Sequence, residues 1–107
     1  MVKIDPSKYG QLEDGGCYLF LRKSGHREYI QVESPCKIGR NLEHRYWVNL
    51  FAITENNKLV LKVDENQPND GLGSHNFLIR SDTEKAEYEI YQMKYDEMIR
   101  NILMEVV

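Results

Sequence analysis

His26, His44 and His75 are the side chains of this chain best suited to moving protons near neutral pH, and each falls in a polar stretch that reads as a loop. His26 with Glu28 or His44 could form an acid and base pair, and Arg27, Arg40 and Arg45 could steady a pentacoordinate phosphorus, which is the inventory of a small ribonuclease. No spacing selects that set over chance, so it stands as an alternative only. The patterns that announce catalysis are missing: there is no phosphate-binding loop, no dinucleotide glycine pattern and no nucleophile elbow. Cys17 and Cys36 form no Cys-x-x-Cys pair and have no histidine at zinc spacing. They read as buried free thiols, since a bridge between them needs an oxidising compartment and strands lying side by side. The expectation is therefore a protein without enzymatic activity, metal or cofactor.

Charge carries more information once it is divided along the chain. Between Arg22 and Arg45 lie six bases (Arg22, Lys23, Arg27, Lys37, Arg40 and Arg45) and three acids (Glu28, Glu33 and Glu43), a balance of +3 inside a chain whose total is −3. Such a basic island on an acidic body can attract a local anionic partner, while the acidic whole argues against nucleic acid. Lys23, His26 and Arg27 lie in or beside the turn Ser24-Gly25-His26, and Lys37, Arg40 and Arg45 complete the island, so these six are the candidate ligand-binding residues. A competing arrangement uses the final third, where acids and tyrosines cluster. Tyrosines are frequent energetic anchors of interfaces and acids would steer a basic partner, so that third suits a small inhibitor or immunity-type protein.

The elements that must position these residues are short. At 107 residues, the chain fits one domain, expected over 17–107 after a polar lead-in over 1–16 that ends at Gly15-Gly16. Cys17 to Lys23 reads as an apolar strand, and Arg27 to Glu33 alternates so that Ile30 and Val32 share one face. Lys37 to Arg40 is a brief strand after Pro35. Arg45 to Thr54 is the strongest strand, with Tyr46, Val48, Leu50 and Ala52 expected on one face and Trp47, Phe51 and Ile53 on the other. Glu55-Asn56-Asn57 turns it into Lys58 to Asp64, with Leu59, Leu61 and Val63 inward. After a Gly- and Pro-containing loop over 65–75, Asn76 to Ser81 forms another strand. One long helix from about Thr83 is an option, yet Ile90 and Met93 fall off its apolar stripe. A strand over Glu87 to Met93 followed by a helix of about twelve residues, with Tyr95, Met98, Ile99, Ile102 and Val106 on its apolar stripe, is the better reading. No apolar run reaches the roughly 20 residues of a membrane helix, and Met1 to Gly16 lacks a secretory core. A cytoplasmic protein follows, with peripheral membrane contact as its only membrane role.

Short antiparallel strands followed by one amphipathic helix bury their apolar residues as a rolled sheet or small barrel, giving an α+β, mostly β class. Over residues 17–107 the chain resembles a pleckstrin-homology-like domain, seven strands in two orthogonal sheets with a C-terminal helix over one end. The Arg45 to Asp64 hairpin and the tail FLIRSDTEKAEYEIYQMKYDEMIRNIL carry the resemblance. It implies a binding or adaptor module whose partner is a protein or an anionic lipid headgroup. Phosphoinositide-binding members carry a Lys, a spacer, a base, one residue and an Arg around the first hairpin; Lys23 and Arg27 match, and Tyr29 stands where the last Arg belongs. Lys37-Ile38-Gly39-Arg40 also resembles the Ile-Gly-Arg segment of forkhead-associated domains, but the Ser and His those place three apart are adjacent here at Ser74-His75.

Overall fold

A computed structural model describes residues 1–36, 44–62, 74–79 and 87–106. In chain order these form β1 (Val2–Lys3), a 3₁₀ helix (Pro6–Gln11), β2 (Cys17–Arg22), β3 (Arg27–Cys36), β4 (His44–Glu55), β5 (Lys58–Leu61), β6 (Ser74–Ile79), β7 (Tyr88–Met93) and the helix α1 (Tyr95–Val106). The strands make one antiparallel sheet in the order β1-β7-β2-β3-β4-β5, with β6 joined to the other half of β4. The class is α+β and mostly β. The strand expected over Lys37 to Arg40 lies outside the described residues, and so does Val63.

Two turns follow from their sequences. Asn56 and Asn57 both have positive φ, 51° and 65°, which makes the β4–β5 link a two-residue turn of the mirror-image kind that the twist of a hairpin prefers. Asparagine tolerates that left-handed backbone better than other residues with a Cβ. In the β2–β3 link, Gly25 has φ +91° and donates its N–H to the Arg22 carbonyl at 2.9 Å, while the Arg22 N–H reaches the His26 carbonyl at 2.9 Å. This is a three-residue loop closed by a glycine bulge.

Pairing of β3 with β4 is interrupted twice. Ile30 faces Leu50 and Tyr29 faces Ala52, so Phe51 is an extra residue on β4, and Glu33 is likewise extra on β3 between Val32 and Ser34. The bulge at Phe51 reverses the alternation that a regular strand would keep. Val48 and Leu50 therefore belong to one face, whereas Ala52 joins Phe51 on the other, and Ile53 returns to the first. Both Ala52 and Ile53 were expected on the opposite faces.

The sheet is covered on two sides. On the first, Tyr18, Phe20, Ile30, Val32 and Ile90 pack beneath Tyr9 and Leu12 of the N-terminal segment. The Tyr9 ring stacks on Tyr88 at 5.6 Å, and its hydroxyl donates to the Tyr88 carbonyl at 3.2 Å. Residues 1–16 are thus built into the fold: β1 pairs with β7, and two of their side chains close the core. On the second side, Met98 and Ile102 of α1 are fully buried against Cys17, Leu19, Tyr29, Phe51 and Leu59, with Ile99 at the margin. Leu59 is inward as expected, but Leu61 is 45% exposed. Among the described strands β5 ends the sheet order, so its side chains have a strand neighbour on one side only there.

Candidate functional site

The β2–β3 turn deals its charges alternately to the two faces of the sheet. Side chains directly opposite each other in a ladder share a face. Arg22 faces His26 across the turn, and Phe20 faces Glu28, so Arg22, His26 and Glu28 share the side of Phe20 and Tyr88. Leu21 faces Arg27 and Leu19 faces Tyr29, which sends Arg27 and Tyr29 to the side of α1. Arg22 and Arg27, two cations separated by a short loop, consequently have different surroundings.

On the first side, the Arg22 guanidinium sits 5.9 Å from the centroid of the Tyr88 ring, a cation–π contact. His26 Nε2 lies 3.1 Å from Glu28 Oε1, so the acid and base partners picked from sequence do meet. On the helix side, Arg27 Nη1 donates to Glu105 Oε1 at 2.7 Å, and the Arg27 N–H donates to the Thr54 hydroxyl at 3.0 Å. The Arg27 Nε is buried without a hydrogen-bond partner. Lys23, in the loop itself, is exposed and has no carboxylate partner among the described residues, and the same is true of Arg22.

Arg22, Lys23 and Gly25 border a cleft of about 340 Å³ together with Leu21, Tyr88 and Glu89, and a second hollow is shared by Arg22, Lys23, Ser24 and Glu87. Glu89 is already engaged, because the Tyr91 hydroxyl donates to it and Lys3 Nζ is 3.3 Å away. Those two hydrogen bonds, the Tyr91 one foremost, hold its carboxyl below the ordinary range. Among the described residues the lip therefore presents two cations without a carboxylate partner, Arg22 and Lys23, beside two acids, Glu87 and the already hydrogen-bonded Glu89.

The other described candidates do not join this lip. Arg45 stands at the far end of β4, opposite Cys36 and Leu78, nine residues before the Thr54 that bonds to Arg27. At about 3.3 Å per residue, that separation is roughly 30 Å along the strand. His44 shares this remote end, which separates it from His26, and it lies in β4 rather than in a loop. His75 is likewise in a strand, β6, opposite Val48. Lys37 and Arg40 lie outside the described residues. Tyr29, at the position where the lipid-binding motif would place a cation, is buried and contributes no surface to the turn.

Arg22 and Glu105 are the site residues that sequence reasoning undervalued. Strand alternation on either side of Ser24-Gly25 carried the signal for Arg22, while nothing local to Glu105 announces a partner 78 residues away. In the acidic final third, Tyr88 is core, whereas Tyr95 is half exposed and meets Phe51 edge-on at 5.9 Å. Burial pushes the Cys17 thiol up to about 11 and raises the Tyr29 hydroxyl, so neither is an accessible nucleophile. Among the described residues no three His, Cys, Asp or Glu side chains converge as a metal would require, and no helix is long and apolar enough to cross a membrane. In comparisons with known proteins, no family model, no curated protein and no solved structure matches the chain.

Proposed function

We propose that the protein is a non-catalytic binding module that takes an acidic segment of a partner protein at the lip of the β2–β3 turn. The supporting observation is the pair of exposed cations, Arg22 and Lys23, on the border of one cleft and without a carboxylate partner among the described residues. Arg22 is held in place by the Tyr88 ring, so less side-chain freedom is lost when it meets a carboxylate. A meander of strands with an amphipathic helix over one face supports a pleckstrin-homology-like roll as the scaffold, and that assignment is part of the same proposal. A cytoplasmic setting belongs to it too.

The test is a titration of a fluorescent oligoglutamate peptide by anisotropy, with phosphoinositide vesicles as a parallel arm. The Arg22→Ala/Lys23→Ala double variant should bind the peptide about three- to tenfold more weakly while keeping its circular dichroism spectrum, since exposed ion pairs contribute about 0.3–0.7 kcal/mol each. Added salt should weaken the native protein in the same direction. Preference for the vesicles would shift the ligand class to lipid headgroups. Undiminished binding by the double variant would overturn the lip as the site and turn attention to the acidic, Tyr-rich final third.

A further inference from the structure

Arg27 is the third cation of the turn, and the chain has already given it an anion. Glu105 reaches it from the opposite end of the sequence at 2.7 Å, and neither side chain is sealed, at 28% and 33% exposure. Glu105 occupies the last turn of α1, where the helix dipole disfavours a carboxylate, and that turn contains no basic residue of its own. Arg27 supplies the missing positive charge from the hairpin. The fit is incomplete, because the contact runs through a single nitrogen while Nε stays buried and unpartnered. A carboxylate that engaged the guanidinium along two N–H groups would satisfy it better.

The rest of the last turn holds α1 down only loosely. Ile102 is its final buried side chain; Leu103, Met104 and Val106 are exposed, Met104 by 79%. Fraying beyond Ile102 therefore gives up little buried apolar area, and the ion pair is the main tie at this end.

We propose that Glu105 is an internal competitor for the anion site: with the helix end closed its carboxylate occupies Arg27, and an acidic segment binds more tightly when that carboxylate is withdrawn. This rests on the turn being the binding site and adds its regulation. Release of the last turn would free Arg27 on the face of the sheet opposite Arg22, so that an acidic segment crossing the Ser24-Gly25 loop would meet a third cation.

The experiment uses the full chain and the same oligoglutamate probe. Glu105→Gln removes the competing charge at nearly constant shape, and Glu105→Asp keeps the charge but shortens its reach. Asp96→Asn, at a carboxylate 76% exposed on the first turn of α1, controls for the change in net charge. Both Glu105 variants should bind about two- to fivefold more tightly than the native protein, as loss of a half-exposed ion pair implies, with no gain in Asp96→Asn. The gain should vanish when Arg27→Ala is added to Glu105→Gln. Native binding that depends on Lys23 but is unchanged by either Glu105 variant would overturn the competitor and leave the site standing. Equal gains in Asp96→Asn and Glu105→Gln would reduce the effect to net charge and overturn it as well. No binding by any form removes the site and the competitor together, and loss of the folded spectrum in both Glu105 variants would make the pair a structural clamp.

Discussion

Arg22 and Arg27 flank the same loop, yet one lies along a tyrosine ring at a cleft and the other is tied to a helix on the far face. Strand alternation explains this, because residues of odd and even number part to opposite faces as soon as the loop is closed. The same rule accounts for Tyr29, whose odd number places it under α1, where an arginine would bring a charge into the core. Cys17 shows what that core does to an ionisable group. Desolvation raises its thiol from 9.0 to about 11, so the folded protein keeps a proton that the unfolded chain loses. Its contribution to stability is complete below about 9 and is lost as pH rises towards 11, a change of roughly 2–3 kcal/mol at about 1.4 kcal/mol per pH unit. Urea midpoints measured across that interval should fall more steeply for the native protein than for Cys17→Ala. Parallel slopes would mean that the thiol is solvated.

Among the elements, the division between β7 and α1 was readable because Ile90 and Met93 break a helical stripe that Tyr95, Met98, Ile99 and Ile102 keep. The β4–β5 turn was readable for a similar reason, with two asparagines between alternating strands. The faces of Ala52 and Ile53 were not, since a bulge leaves no mark in a pattern of apolar and polar residues until the partner strand is known. Burial of Ile102 and Met98 makes α1 an anchor of the second core rather than a loose cap. Ile102→Ala should cost about 2–5 kcal/mol, read as a lowered denaturation midpoint at unchanged slope. A midpoint equal to the native one would place this face of α1 in solvent.

At the level of the whole molecule, antiparallel pairing drew apart what lay together in sequence. β3 and β4 pair so that Glu28 meets Ile53 and Cys36 meets Arg45, which spreads the basic island along the length of two strands. Only its turn survives as a cluster among the described residues. Composition also hid the role of the first sixteen residues, because their charged and glycine-containing stretches mask the two side chains that matter. Tyr9→Ala removes a buried ring stacked on Tyr88 and should cost about 3–5 kcal/mol, comparable to other large aromatic truncations. Differential scanning calorimetry would register it as a single lowered transition, while an unshifted one would show the segment detached.

The place of β7 between β1 and β2 has a bearing on how the protein is made. A nascent chain leaves the ribosome from its N-terminus, so β1 emerges long before the strand it must pair with, and β2 emerges with one flank open. The meander from β2 to β5 can assemble as it appears, but the sheet cannot be completed until Met93 is free, and α1 cannot cover it until later still. Until then Cys17, Leu19 and Phe20 stand beside an unpaired edge, the kind of surface that chaperones hold. Folding is thereby deferred until β7 and α1 have been made, and a ribosome stalled before Tyr88 would carry a chain with its two core faces still unsealed.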